Sequence, residues 1–358
     1  MAASIHPDYQ TLGLTFPANL TLSTPTVATW PSEVLDFAPL TASSSDDNRP
    51  CILFIPGNPG TCLFYIDFLS RLQEKYPDHR VAAVSYAGHG IIPRVVERSA
   101  GRDMHFSDCL AGQAEHKALF VSSLLQSSSP PTSLVLLGHS IGCHLISRFL
   151  PSLPSSVNVT DTFFLTPFIQ FSPSVLSQSM PLNLVASAPL LALRAILQSA
   201  NALLSASSGY TGRGLRFLLG AAGGIKNANT LEVAAHMAVT PGYFRNFITL
   251  GHEEINEVPR EAPTRAILEV AGRTNLHFLF AGGPDQWGPV TQMRSLLRLV
   301  RMGYIGKEVG GRMVYEPAIV HDFVRDDEQI GVVVDFVEAG MRRTLNAGPL
   351  YPGVRSKL

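Results

Sequence analysis

A serine, an aspartate and a histidine, in the order Ser140, Asp285, His321, are the residues of this 358-residue chain whose types and spacing could carry covalent chemistry. Ser140 lies in Gly138-His139-Ser140-Ile141-Gly142, a G-x-S-x-G pattern after the apolar run Leu134 to Leu137 and before the apolar helical pattern Cys143 to Leu150. So sharp a turn from strand to helix forces the serine into a strained backbone, and glycines flank it because side chains would strike the neighbouring strand and helix. The hydroxyl then projects at a helix N-terminus, where free N–H groups, that of Ile141 among them, can stabilise an oxyanion. Asp285 stands just past the strand-like run Asn275 to Phe280, and His321 just past the extended run Met313 to Val320. That order suits acyl transfer, with the serine proton passing to a histidine that an acid holds in one tautomer. Asp322 adjoins His321 in the chain and is badly placed to orient it.

A second oxyanion donor is expected one strand–helix unit earlier. The buried-type run Cys51 to Ile55 breaks into Pro56-Gly57-Asn58-Pro59-Gly60. Prolines have no N–H to offer, so the backbone N–H of Asn58 is the candidate. In isolation this pentapeptide reads as a tight turn; its place before the serine favours the oxyanion role. His89, beyond the strand Val81 to Tyr86, reads as a hydrogen bonder that fixes its loop.

The elements that must position these groups alternate strand and helix from Cys51 to Thr166. This alternation predicts a mostly parallel central sheet with helices on both faces, in a single domain over 1–358. Before it, Leu12 to Phe16 and Asn19 to Ser23 read as edge strands of an N-terminal hairpin, and Thr41 to Pro50 as a polar turn. Ser107 to Leu125 reads as a helix with Gln113, Glu115, His116 and Lys117 on its wet side. After Phe163 to Thr166 the alternation stops, and 167–263 is expected to be a helical lid inserted between core strands. Within it, Asn183 to Leu204 and Gly214 to Gly223 are apolar enough to lie in a lipid surface or to line an acyl pocket, with Leu190, Leu193, Leu197 and Phe217 as candidates; the other reading is a buried cap helix. Glu253, Glu254 and Glu257 read as a solvated face. Helices are expected over Val290 to Met302 and Glu328 to Leu345, with 346–358 as a tail.

Composition narrows the function. Net charge is −1 with only 15% charged residues, so a nucleic-acid partner is not expected, while 46% hydrophobic residues leave apolar surface that could meet lipid. The four cysteines, Cys51, Cys62, Cys109 and Cys143, form no C-x-x-C pair and no zinc-type cluster, which fits a reducing compartment with no metal or organic cofactor. Residues 1–30 lack a secretory pattern, and no apolar run reaches the roughly 18 residues of a membrane span, so an intracellular protein is expected. Ser356-Lys357-Leu358 matches the address read by the peroxisomal import receptor.

Together, Phe54 to Gly60 followed by Phe64-Tyr65, Leu137 to Gly142, the Gly-x-x-Asp-x-Trp pattern at Gly282 to Trp287, and His321-x-Phe323 resemble the lipid droplet-associated hydrolase family of the α/β-hydrolase superfamily. The resemblance runs from about Cys51 to Leu345. It implies the α/β-hydrolase fold with a hydrophobic lid that docks on droplets, Ser140 as nucleophile, Asp285 as acid and His321 as base. Implied substrates are lipid esters, of sterols or acylglycerols. Two alternatives stay open. The Ser-Lys-Leu end departs from the droplet picture and suits a peroxisomal acyl-CoA thioesterase or a hydrolase of secondary metabolism. The other alternative is a droplet- or membrane-surface binding protein whose hydrolase site is weak or vestigial.

Overall fold

A computed structural model describes residues 4–10, 12–41, 49–99, 101–127, 130–170, 216, 219–221, 224–240, 242–258, 264–282, 290–302 and 313–347. Its strands are β1 (Ser4–Ile5), β2 (Leu20–Ser23), β3 (Thr26–Val27), β4 (Trp30–Pro31), β5 (Val34–Phe37), β6 (Cys51–Ile55), β7 (Arg80–Val84), β8 (Leu134–His139), β9 (Val159–Leu165), β10 (Asn275–Ala281) and β11 (Met313–Glu316). One sheet has the order β1-β2-β5-β7-β6-β8-β9-β10-β11, and β3 and β4 form a separate small ribbon. From β7 to β11 every neighbouring pair is parallel, whereas β5 is antiparallel to both β2 and β7.

The central strands read as unbroken apolar runs because both of their faces are covered. Every residue of β6 and β8 is buried. Leu53 and Ile55 pack with Leu136 on one side of the sheet, while Ile52 and Phe54 pack with Val135 and Leu137 on the other, as a period of two requires. The longer helices are α1 (Ile66–Lys75), α2 (Leu110–Leu125), α3 (Ile141–Phe149), α4 (Ala228–Val239), α5 (Tyr243–Glu257), α6 (Thr264–Ala271), α7 (Val290–Arg301) and α8 (Asp327–Ala347). Residues of α1 and α8 share one core, and those of α2, α3, α6 and α7 the other. The mostly parallel sheet with helices on both faces is as expected. No helix among the described residues is long and apolar enough to cross a membrane.

Helices α4 and α5 belong to the stretch between β9 and β10. Hydrogen bonds seat them on loops beyond the C-terminal ends of strands: Thr230 Oγ1 donates to Val324 O at 2.8 Å, Tyr243 Oη to Pro59 O at 2.9 Å, and Asn246 Nδ2 to Gly88 O at 2.6 Å. That edge is where sheets of this kind keep their sites. Leu190, Leu193, Leu197 and Phe217 lie outside the described residues, as do Asp285 and Ser356 to Leu358.

Three expectations need correction. Leu12 to Phe16 is not a strand; β2 pairs instead with β5, whose residues Val34 to Phe37 the sequence reading passed over. Gln113, His116 and Lys117 are fully buried, and Glu115 alone of the four faces water. Distant partners make that possible: Gln113 holds both the N–H and the carbonyl of Ala87, Lys117 Nζ donates to Ser85 O at 2.8 Å beneath the Tyr86 ring, and His116 Nε2 meets Ser32 Oγ at 2.9 Å. Finally, Glu254 is buried, so the three acids of α5 are not one solvated face.

Candidate active site

Ser140 joins β8 to α3 with φ 53° and ψ −122°, a conformation that costs a non-glycine residue about 1–3 kcal/mol. Its own backbone holds it there. The Ser140 N–H donates to Leu165 O at 3.1 Å, and its carbonyl accepts from Cys143 N at 3.1 Å and Phe168 N at 3.0 Å. Close packing explains the flanking glycines: a Cβ on Gly142 would lie 2.4 Å from Ile55 O and 2.5 Å from Pro56 O. Ile141 opens α3, so its N–H has no acceptor inside the helix.

His321 lies in the turn after β11, and its Nε2 stands 2.8 Å from Ser140 Oγ. The structure therefore brings together two residues 181 positions apart that the sequence reading had paired. The histidine backbone is pinned from two sides. Thr166 Oγ1 donates to the His321 carbonyl at 3.2 Å, and His139 Nε2 donates to the same oxygen at 2.9 Å. Because a carbonyl only accepts, the His139 proton is on Nε2, and Nδ1 accepts from Tyr65 Oη at 2.7 Å. Tyr65 in turn accepts from Gly57 N–H at 3.2 Å. In the sequence His139 and Tyr65 are only positions within motifs, with no role, because nothing local shows that two residues 74 apart will be hydrogen-bonded. Replacing Tyr65 with Phe strands the Gly57 N–H and His139 Nδ1 in a buried site, a loss of about 1–3 kcal/mol. A lowered thermal midpoint would register it, and an unchanged one would refute the relay.

The loop Pro56 to Gly60 crosses beside the serine. A Cβ on Gly57 would lie 2.7 Å from His139 Nδ1 and 3.0 Å from Ser140 Cβ, so only glycine fits. The loop turns through a cis Asn58–Pro59 bond and a Gly60 N–H to Gly57 O hydrogen bond of 2.8 Å. Tyr86 Oη donates to Pro56 O at 2.6 Å, while His89 Nδ1 and Tyr243 Oη both donate to Pro59 O at 2.9 Å. His89 is thus the loop-fixing residue expected, and burial lowers its pKa to about 4. No acceptor among the described residues takes the Asn58 N–H.

Asp285 lies four residues past the end of β10, and the nearest described residue, Gly282, is tied to the His321 side of the sheet. Gly282 N–H donates to Glu316 O at 2.9 Å, and Tyr315 Oη donates to Gly282 O at 2.8 Å. Among the described residues, no group of three or more His, Cys, Asp or Glu side chains could hold a metal ion.

A nine-stranded mixed sheet covered on both faces, with a strained serine between a central strand and its helix, defines the α/β-hydrolase fold. Solved structures agree: a soluble variant of monoglyceride lipase from Saccharomyces cerevisiae superposes with a TM-score of 0.55 at 12% identity, covering 93% of this chain and 97% of that one. The thioesterase domain from the curacin biosynthetic pathway does so at 0.55 and 10%, covering 89% and 99%. The chain belongs to the lipid-droplet associated hydrolase family, whose pattern matches residues 48–324. It is 32% identical over 153 residues to the lipid droplet-associated hydrolase of Homo sapiens and 35% identical over 150 residues to that of Gallus gallus. Each match covers 39% of this chain and only 45% and 44% of those relatives.

Proposed function

We propose that the protein is a serine hydrolase that cleaves carboxylic esters of lipids through a covalent acyl-enzyme. The 2.8 Å approach of His321 Nε2 to the strained Ser140 carries this reading. Ser140 Oγ–H donates to Nε2, and as Oγ attacks the ester carbonyl carbon the proton passes to His321. The carbonyl oxygen becomes an oxyanion, taken up by the N–H groups of Asn58 and Ile141. Collapse of this tetrahedral species breaks the bond to the alcohol, which leaves with the proton from His321. Water then attacks the acyl-serine by the same route and releases the acid. Asp285 is assigned to the imidazolium that forms, on its place in the chain just after β10, the strand that pairs with the β11 strand leading to His321.

The lipid character of the ester is supported by the family and by the apolar stretches 183–204 and 214–223, where Leu190, Leu193, Leu197 and Phe217 would meet an acyl chain or a droplet surface. Sterol and acylglycerol esters are the substrates this implies. The test is labelling of the purified chain by a fluorophosphonate probe. Wild type should label, and Ser140→Ala should lose labelling together with about 10⁴–10⁶-fold in ester turnover. Cholesteryl oleate, dioleoylglycerol and oleoyl-CoA offered side by side then separate the substrate classes. Preference for oleoyl-CoA would favour the peroxisomal thioesterase that Ser356-Lys357-Leu358 suggests. A folded wild type that fails to label would instead favour a droplet-binding protein with a vestigial site.

A further inference from the structure

The loop that carries the Asn58 N–H is gripped by α5 at two points, and one of them involves an acid. Tyr243, at the start of α5, donates to Pro59 O at 2.9 Å. Three turns later Glu254 sits against the same loop, where the Asn58 side-chain amide favours its carboxylate while burial opposes it. Gly251, three residues earlier on α5, lies against that amide: a Cβ there would stand 3.6 Å from Asn58 Nδ2, an ordinary contact. Glu254 is only 3% exposed. Two oxygens of this pair, Asn58 Oδ1 and Glu254 Oε1, are buried and have no hydrogen-bond partner among the described residues. A buried acceptor without a donor is costly, and a proton on the carboxyl would supply the donor that both oxygens lack.

We infer that Glu254 is a positioning residue for the oxyanion loop, pairing reciprocally with Asn58 so that the amide N–H binds one carboxyl oxygen while the carboxyl O–H binds the amide oxygen. This ring of two hydrogen bonds fixes the Asn58 side chain, and with it the peptide whose N–H faces the reacting carbonyl. The inference rests on the serine hydrolase reading. Burial agrees with it, raising the Glu254 pKa to about 8. Below that pH the acid is protonated, the pair is intact and no charge opposes the oxyanion. Above it, the donor to Asn58 Oδ1 is lost and a buried negative charge stands behind the loop, so turnover falls as pH rises.

The neighbouring ionisable groups do not supply that proton. Tyr86 is buried and already donates to Pro56 O, with Lys117 Nζ 4.7 Å from the centre of its ring. His116 and Lys117 on α2 face Ser32 and Ser85, and His236 on α4 is bonded to Leu12 O. Asp108 pairs with Arg98, and burial together with Glu257 raises Glu253 to about 7.

The experiment follows 4-nitrophenyl butyrate turnover by the full chain between pH 6 and 10, with Ser140→Ala as the blank. Glutamine reproduces both hydrogen bonds without a titrating proton, so Glu254→Gln should keep kcat within about threefold at pH 7 and lose the alkaline fall seen in wild type. Glu254→Leu should lower kcat about 10–100-fold with KM within about twofold, and Glu253→Gln should leave the alkaline fall in place. An alkaline fall retained by Glu254→Gln, or a Glu254→Leu variant with wild-type kcat, overturns the inference. Should the leucine variant not fold, the glutamine pH profile decides alone. A wild type without Ser140-dependent turnover overturns the hydrolase reading and this inference with it, an outcome distinct from an active wild type whose Glu254 variants behave alike.

Discussion

Replacing His321 with glutamine should lower kcat/KM for ester hydrolysis by about 10⁴-fold or more while leaving the fold intact. The side-chain amide can still reach Ser140 Oγ, but it cannot accept the serine proton at neutral pH, so attack would have to begin from an unactivated hydroxyl. The fold should tolerate the change because the contacts that pin this residue run through its backbone carbonyl, which accepts from His139 Nε2 and Thr166 Oγ1 whatever the side chain. Fluorophosphonate labelling rates and thermal midpoints, measured together, separate the two effects. Labelling within tenfold of wild type would remove His321 from the role of base.

Adding a single methyl group at Gly142 should cost both stability and activity. The Cβ of Gly142→Ala would enter within 2.5 Å of two backbone carbonyl oxygens, Ile55 O and Pro56 O, and neither can rotate away as a side chain can. Either the start of α3 lifts off β6 or the oxyanion loop is pushed outward. Both movements separate the N–H groups of Ile141 and Asn58 from the place where the oxyanion would form. Overpacking of this kind costs about 1–3 kcal/mol, and loss of oxyanion contacts a further factor of about 10²–10³ in kcat. A variant with an unchanged thermal midpoint and wild-type turnover would show that the elbow is looser than its contacts indicate.

What was legible in the sequence depended on how local the cause was. Strands β6 and β8 announce themselves because burial on both faces writes an unbroken apolar run, and the elbow does so because its geometry admits glycine alone at two fixed positions. His321 could be found because it follows an extended segment in the right chain order. Lys117 and Glu254 could not be placed. Each sits in a polar stretch that resembles a wetted helix face, and each is buried only because a partner far along the chain, Ser85 in one case and Asn58 in the other, meets it there. Strand β5 escaped notice for a different reason: at four residues, Val34 to Phe37 is too short to show a period. Asp285 lies outside the described residues.

Ser140 and His321, the proposed nucleophile and base, lie 181 residues apart, so a growing chain carries the serine long before the histidine. Strands β6 to β9 leave the ribosome first, so every residue of the elbow is made while β10, β11 and His321 have yet to be synthesised. A chain interrupted in the long excursion after β9 holds a serine with no proton acceptor and a sheet with an uncovered edge, ready to pair with another such fragment. Loop closure across that excursion makes the last pairings the slowest to form. Reactivity toward a fluorophosphonate is therefore also a report that synthesis passed His321 and that the two halves of the sheet have joined.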